Sequence, residues 1–332
     1  MKVAVHERLQ AVGAAAWGAL HARSRLRSPF TTWTWQAEWV RVFAQGRRLE
    51  VWRVEDGGEP IALLPLHEAE RSGWQMLGGA DVSDYLDLVA VAGREEEAWA
   101  ALLGARAASA APWTLHAVPA ASPTVTAMPA LAGAFGLAAS VDVEERCPVL
   151  ALPATWEDYL QSLDGKQRHE LNRKMRRVAR EAPDARPVAV ATRADVEARL
   201  GDFLDLHRRS RTGKARFMDA RMESFFRAVC PALADAGMAR IWFLDAPAGP
   251  LASFITLEWD GTVGLYNSGF HPDHAALSPG LVLLGHLVRD AIARGKRRFD
   301  FLRGEERYKY DFGPSPEDVC RVSIAPAGAP RA

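Results

Sequence analysis

The sequence predicts an α/β protein of two tandem units of the same build, each a mixed, mostly antiparallel sheet flanked by helices. Three observations predict it. The 332 residues are long for one core and suit two domains of roughly 150 residues each. Both halves show helices, a strand meander, a helix and more strands, although no sequence repeat is visible. Residues 262–313 read as strand, loop, helix and strand, which is a crossover unit. The boundaries read as a first domain over 1–154, a basic bridging helix over 155–182, a second domain over 183–326 and a loose tail over 327–332.

Taken in order, residues 1–9 alternate as a strand and 11–23 form an alanine-rich helix. At 28–39 a turn hands over to a helix with Trp35, Trp39 and Phe43 at i, i+4 and i+8. That spacing suits an aromatic core face, or a stacking platform for a ligand. Strands at 49–54 and 60–66 flank Glu55-Asp56-Gly57-Gly58-Glu59, a hairpin signal. Short strands at 74–77 and 85–89 precede a helix at 95–108. Residues 113–118 are a strand, 122–135 carry turn and short-helix signals, and strands at 137–143 and 148–152 close the unit. Within it Asp81, Asp84 and Asp87 surround Tyr85 just before a strand. A turn-rich solvated loop explains them, and so does a polar substrate site.

A helix begins at Thr155, with Glu157 and Asp158 in the first turn where the dipole favours them. It runs to about Glu181 with Leu160, Leu163, Leu171, Met175 and Val178 as its apolar stripe. Residues 188–191 are a strand, and 195–209 and 219–236 are helices. Strands follow at 240–245, 251–259 and 262–270, the last two joined by an Asp260-Gly261 turn. The helix over 281–294 rests on Leu281, Leu284, Val288, Ala291 and Ile292, which share one face. Ser278 is placed to cap it, Pro279 suits its first turn and Gly295 its exit. Its free amides and positive dipole end suit a phosphate. A strand at 298–302, a short helix and a last strand at 319–325 complete the unit.

Apolar residues make up 48% of the chain and charged residues 25%, ordinary values for a soluble globular protein. No run of about 18 apolar residues is present, so membrane insertion is not expected. The first residues lack the apolar core of a signal peptide, which predicts a cytoplasmic location. Cys147, Cys230 and Cys320 are widely spaced in apolar surroundings, as buried inert thiols are, and no metal site is expected. Net charge is zero, yet residues 166–180 hold seven basic side chains against one acidic. The basic character is one segment, not a field over the whole surface. It is either a solvated helix or a platform for an anionic substrate or tRNA. Only six of the 41 basic residues are lysine, so Lys309 marks a place where an ammonium is wanted.

Four stretches resemble a known group: Pro29-Phe30 with Trp35 and Trp39; Ser83-Asp84-Tyr85; the basic helix with Lys166 and Arg168; and Phe299-Asp300-Phe301-Leu302-Arg303-Gly304-Glu305-Glu306-Arg307-Tyr308-Lys309. With the element order, they resemble the GNAT superfamily of N-acyltransferases from about residue 28 to 325. The likeness is to its tandem branch, the FemAB-like aminoacyl and acyl transferases, and especially the proteins named after cellulose-biosynthesis CelD. The resemblance implies two tandem GNAT (acyl-CoA N-acyltransferase) units and acetyl-CoA or another acyl-CoA as donor. One departure stands out. The superfamily's pyrophosphate loop is usually Arg or Gln, two residues, Gly, one residue, then Gly or Ala. Here Leu277-Ser278-Pro279-Gly280-Leu281-Val282 has one glycine, and a proline that removes an amide donor.

Acyl transfer to an amine needs an oriented donor, an uncharged nucleophile, a polarised carbonyl and a proton for the leaving group. The resemblance implies that Tyr266, Asn267 and Ser268 lend backbone amides to the acyl carbonyl, and that Ser278 and Gly280 meet phosphates. The expected reacting cluster is Asp300, Glu305, Tyr308 and Lys309, of which the last three share a face if helical. A carboxylate there takes a proton from the acceptor ammonium, and Tyr308 hydrogen-bonds a reactant. By resemblance Lys309 steadies the tetrahedral intermediate. The alternative is a surface ion pair with a packed tyrosine. His207 is a second candidate base, or a structural histidine. Asp84 and Tyr85 are expected to face the acceptor in a cleft between the domains, with Arg168 available to a carboxylate or phosphate.

Three functions are open. The first is an N-acyltransferase moving an acyl group from acyl-CoA to a primary amine on a small sugar-like or amino-acid-like acceptor. The second uses aminoacyl-tRNA, gripped by residues 166–180. The third is a catalytically silent relative that senses or scaffolds an exopolysaccharide pathway.

Overall fold

The computed structural model describes residues 1–70, 73–106, 111–210 and 212–327. The chain divides into two compact units, one of residues 1–146 with those from 317 on, the other of residues 147–316.

Unit 1 contains β1 (Lys2–His6), α1 (Ala14–His21), α2 (Trp33–Phe43), β2 (Leu49–Asp56), β3 (Glu59–Glu68), β4 (Trp74–Met76), β5 (Val89–Ala90), α3 (Glu95–Arg106), β6 (Trp113–Pro119), α4 (Pro123–Thr126), α5 (Met128–Ala134) and most of β7 (Leu137–Ala151). Its strands pair in the order β1-β2-β3-β4-β6, antiparallel except for β4 with β6. Thr32 caps α2 by accepting a hydrogen bond from the Trp35 amide. Trp35 and Trp39 are buried, and the Trp35 indole donates to Ser83 Oγ at 2.9 Å. The aromatic spacing is therefore that of a core face.

Unit 2 contains α6 (Trp156–Ser162), α7 (Gly165–Glu181), β8 (Arg186–Val190), α8 (Arg193–Ser210), α9 (Thr212–Phe217), α10 (Ala220–Asp235), β9 (Ala239–Ala246), β10 (Gly249–Trp259), β11 (Thr262–Phe270), α11 (Pro279–Ala293), β12 (Arg298–Asp300) and α12 (Arg307–Tyr310). The order β8-β9-β10-β11-β12 ends on the last residues of β7, and only β11 with β12 is parallel. Asp260 and Gly261 both have positive φ, 44° and 76°, as a two-residue hairpin turn requires. Phe254, Leu265, Val282, Leu284, Val288 and Phe299 belong to one buried cluster of this unit, which also takes in Leu171 and Val178 of α7. The final strand is β13 (Ser315–Pro326).

The expected fold class, two tandem α/β units with mostly antiparallel sheets, is the one observed. Several boundaries differ. The division falls after Arg146, not at 154. The last strand belongs to unit 1, because β13 pairs antiparallel with β6 from Val319↔Pro119 to Ile324↔Trp113. The expected long helix at 155–181 is two helices. Asp164 breaks it by forming a capping box with Gln167. The strand expected at 85–89 shrinks to Val89–Ala90, and the two expected at 137–152 are one, β7. The loose tail lies, from residue 328 on, outside the described residues.

Candidate active site

The site in unit 2 begins with a separation of strands. β11 pairs with β12 only through Thr262↔Arg298, Val263↔Phe299 and Gly264↔Asp300. Beyond Gly264 that edge of β11 has no neighbour among the described strand pairings, so both parallel strands open a gap at their C-terminal ends. On its other edge β11 follows β10, with the register slipping between Ile255↔Asn267 and Thr256↔Leu265. Tyr266 is left without an opposite residue, a bulge that turns the strand locally. Its ring stacks on Phe226 of α10, centroids 5.7 Å apart.

The His271 amide donates to the Leu251 carbonyl, which makes that opposed pair a hydrogen-bonded one. Bonded and non-bonded pairs alternate in an antiparallel ladder, so Ser268, opposite Phe254, turns its N–H and C=O away from β10. The Ser268 carbonyl accepts from His207 Nδ1 at 2.9 Å and from Lys214 Nζ at 2.5 Å, and Lys214 also donates to Ser268 Oγ at 2.8 Å. Because a carbonyl only accepts, His207 carries its hydrogen on Nδ1. Its Nε2 is buried and has no partner among the described residues. Burial, then the charge of Lys214, pushes the His207 pKa down to about 4 against the opposing hydrogen bond to Ser268. The ring is neutral at pH 7. It lies beside Phe203 and Phe217, and α8 approaches so closely that a Cβ on Gly269 would sit 2.5 Å from the His207 amide nitrogen.

On the other side of the gap, the chain leaves β12 in a strained turn. Leu302 is buried with φ at 55°, a left-handed conformation unfavourable for a branched side chain. Two buried side chains hold it. The Asp300 carboxylate, itself buried, accepts from the Leu302 amide at 2.8 Å. Lys309, 3% exposed, donates to the carbonyls of Leu302, Arg303 and Gly304 at 3.4, 2.8 and 2.9 Å and pairs with Glu306 at 2.9 Å. Gly304 has φ at 100°, and a Cβ there would lie 2.7 Å from Glu306 Oε2. The Glu306 side chain is about half exposed. Burial opposes its ionisation, but Lys309, with a smaller contribution from Lys214, holds its carboxyl below the ordinary range.

One expectation for this cluster is corrected. The helix α12 starts at Arg307, so Glu305 does not share a helical face with Tyr308 and Lys309. Glu305 instead accepts from the Tyr310 hydroxyl at 2.9 Å, and Tyr308 packs against the unit's core. The Lys309 ammonium is committed to four acceptors of its own loop, which fits a clamp. At α11, Pro279 stands in the first turn as expected, but Ser278 makes no side-chain cap; its backbone is left-handed, φ 52°. Gly280 has open space where a Cβ would stand, and the first-turn amides of this helix have no intrahelical partner.

The remaining expected residues lie elsewhere. Asp84 and Tyr85 are in unit 1, Tyr85 buried with its ring 6.5 Å from Phe30. Their neighbour Asp87 is internal. It accepts from Ser122, Thr124 and the Leu88 amide, and burial raises its pKa to about 6 against those bonds. Arg168 is exposed on α7, 3.4 Å from the Leu160 carbonyl. Along α7, Arg173 and Lys174 pair with Glu170, and Arg177 and Arg180 with Glu181. Among the described residues no group of His, Cys, Asp or Glu is arranged to hold a metal ion, and no helix is long and apolar enough to cross a membrane.

Sequence reasoning missed Lys214 and Glu306. The scarcity of lysine that singled out Lys309 applies equally to Lys214. Glu306 was hidden by its neighbour Glu305, which the helical spacing favoured.

Residues 165–310 match the acetyltransferase (GNAT) domain family model. No curated protein matches the chain in sequence. Among solved structures, FemX shares the fold with a TM-score of 0.64 and 11% identity over 97% of either chain. A conserved protein of unknown function from Bacteroides thetaiotaomicron gives 0.62 at 11% identity, covering 98% of this chain and all of its own. L-PGS from Bacillus licheniformis gives 0.59 at 10% identity, over 93% and 90%. At these identities the likeness is one of fold.

Proposed function

We propose, from the premise that the chain carries an acetyltransferase (GNAT) domain in residues 165–310, that it moves an acyl group from an acyl-CoA thioester to a primary amine. The observation that carries this reading is the gap between β11 and β12, with strand amides on one side and a clamped charged turn on the other. The amine nitrogen attacks the thioester carbonyl carbon, a C–N bond forms, the C–S bond breaks, and the thiolate takes up a proton. Placing the two reactants side by side supplies up to about 7–11 kcal/mol of the acceleration. The outward amides of β11 beyond the bulge receive the carbonyl oxygen as it becomes an oxyanion. The amides of Gly280 and Leu281 at the start of α11 meet the phosphates of the donor. Asp300 and Lys309 act as positioning residues, holding the turn that carries Glu305 and Glu306. The acceptor is a small amine, sugar-like or amino-acid-like.

The reading is tested by calorimetric titration and thermal shift with coenzyme A and acetyl-CoA. Saturable binding raises stability by RT ln(1 + [L]/Kd), about 2.7 kcal/mol at a hundredfold excess over Kd. No binding of either compound would overturn the donor assignment and favour aminoacyl-tRNA or a silent relative. The tRNA reading draws on α7, where Glu170 and Glu181 already take up part of the basic charge. It requires binding that falls steeply with salt and with the triple substitution Arg173→Gln, Arg176→Gln and Arg177→Gln.

A further inference from the structure

Ser268 borders the gap between β11 and β12 with its backbone donor turned into it and its backbone acceptor already taken. We propose that the Ser268 amide receives the acyl carbonyl oxygen, and that His207 is the positioning residue that prepares it, acting through its hydrogen bond to the Ser268 carbonyl and not as a base. The inference rests on the acyl-transfer reading and assigns one donor and its support within that same site.

Register decides which amides are available. The bonded pair of Leu251 and His271 fixes the alternation along β10 and β11. Gly269 and Asn267, opposite Ser253 and Ile255, therefore spend their backbone groups on β10, whereas Ser268, opposite Phe254, turns both of its own to the edge that β12 has left. Asn267, expected to lend an amide, is thereby set aside. An extended residue holds its N–H and C=O on one edge, so an uncovered Ser268 carbonyl would stand beside the amide and repel an oxygen that is becoming negative. A carbonyl has two lone pairs, and here it meets two donors, His207 Nδ1 at 2.9 Å and Lys214 Nζ at 2.5 Å. What is left at this point of the edge is a donor alone, which suits an acceptor-only group such as a thioester carbonyl. The His207 ring is in place before the donor arrives, as a preorganised site requires. It is 1% exposed, rests against Phe203 and Phe217, and is carried by a helix whose backbone meets Gly269 with no space for a Cβ. Its Nδ1 hydrogen is spent on Ser268, and its Nε2, the atom a base would use, is shut away from solvent.

Asn267-Ser268 is the single Asn-Ser step in the sequence, so protein isotope-labelled at asparagine carbonyls and serine amide nitrogens gives one filtered NMR signal, that of the Ser268 amide. The signal is followed while coenzyme A or acetyl-CoA is added, and binding of each is read by calorimetry. In the wild type, acetyl-CoA is expected to move the Ser268 amide proton downfield, and coenzyme A, which lacks the carbonyl, to leave it near its starting position. The acetyl-specific shift should be lost in His207→Leu, which removes the donor, and kept in His207→Asn, which puts an N–H where Nδ1 stood. Thiol release with L-lysine and D-glucosamine as probe amines adds a kinetic arm. There kcat should fall at least tenfold in His207→Leu with KM for acetyl-CoA within threefold, and stay within threefold of wild type in His207→Asn. Four outcomes would overturn the assignment and leave the donor reading intact: calorimetric binding of acetyl-CoA with an unmoved Ser268 signal, equal shifts with both ligands, a shift that survives His207→Leu, or His207→Asn as impaired as His207→Leu. Binding of neither compound would overturn both. Where His207→Leu does not fold, or no probe amine releases thiol, the wild-type comparison and His207→Asn decide: an acetyl-specific shift kept in His207→Asn supports the proposal, and its loss overturns it.

Discussion

Gly269→Ala examines how strictly α8 and β11 are set against one another. A Cβ at residue 269 would stand 2.5 Å from the His207 nitrogen, 2.6 Å from the Leu206 carbonyl carbon and 2.8 Å from the His207 Cα. All three are backbone atoms of a helix, so no side-chain rotation relieves the overlap. The helix must move by several tenths of an ångström or more. Overpacking of this kind costs about 1–3 kcal/mol. Displacing α8 also weakens the hydrogen bond from His207 to Ser268, worth about 0.5–1.5 kcal/mol net. Together the expected loss is about 2–4 kcal/mol for unit 2, which at ~2–4 °C per kcal/mol for a domain of this size lowers its Tm by roughly 4–16 °C. Because β11 carries the amides proposed to receive the carbonyl oxygen, acetyl-CoA turnover should fall more than the remaining folded fraction explains. Differential scanning calorimetry and steady-state kinetics below the transition check both. A Gly269→Ala protein with unchanged Tm and turnover would refute the tight approach of helix and strand.

Gly280, with open space around it, is the contrasting case: Gly280→Trp should leave Tm within about 1 °C and weaken coenzyme A binding at least tenfold in calorimetry. Lys309→Ala removes the ammonium from three carbonyls and Glu306, and is expected to destabilise unit 2 by about 2–4 kcal/mol in urea unfolding while lowering turnover at least tenfold; full stability would contradict the clamp. Glu305→Gln keeps an acceptor for Tyr310, so its stability should stay within about 0.5 kcal/mol and any loss of turnover reports on proton transfer. The two units should respond oppositely to acid. His207 drops from 6.5 to about 4 on folding, so its contribution is complete above pH 6.5 and declines as pH falls through 4, by roughly 3 kcal/mol. Asp87 rises from 3.8 to about 6, so its contribution is complete below pH 3.8 and is lost as pH rises through 6, again by roughly 3 kcal/mol. Unfolding followed between pH 4 and 7 in wild type and Asp87→Asn, with probes in each unit, would show parallel slopes if either environment is misassigned.

Periodicity made the frame legible. The stripe from Leu281 to Ile292 gave α11 within two residues of its ends, and Asp260-Gly261 gave the hairpin between β10 and β11. Local chemistry was harder where two signals compete. Leu160, Leu163 and Leu171 suggested one helix, yet Asp164 caps a second, because a side chain that bonds its own backbone outweighs a continuous stripe. Ser278 has the composition of a cap but not the backbone, since the chain reverses there through a left-handed residue. The site was least legible because its contacts are remote in sequence. Lys214 and Ser268 are 54 residues apart, and no spacing rule joins them. Lys309 and Asp300 were singled out for chemistry, whereas their contacts hold Leu302 in a conformation it would otherwise avoid. Asp87, one of three carboxylates read as a loop cluster, is a core group because Ser122 and Thr124 come to it from beyond β6.

The placement of β13 against β6 bears on the order in which the polypeptide acquires its structure. Unit 2 is one uninterrupted stretch, whereas unit 1 is assembled from residues 1–146 and those from 317 on, which supply its last strand. On a ribosome adding about 5–20 residues per second, the roughly 200 residues between β6 and its partner take about 10–40 s to make, the interval in which unit 2 is synthesised. The nascent first unit therefore spends that interval with a bare strand edge, the kind of surface that recruits foreign strands. A premature stop before Val319 would leave a chain that keeps residues 165–310, the family-matched segment, whole and a first unit that keeps that edge bare.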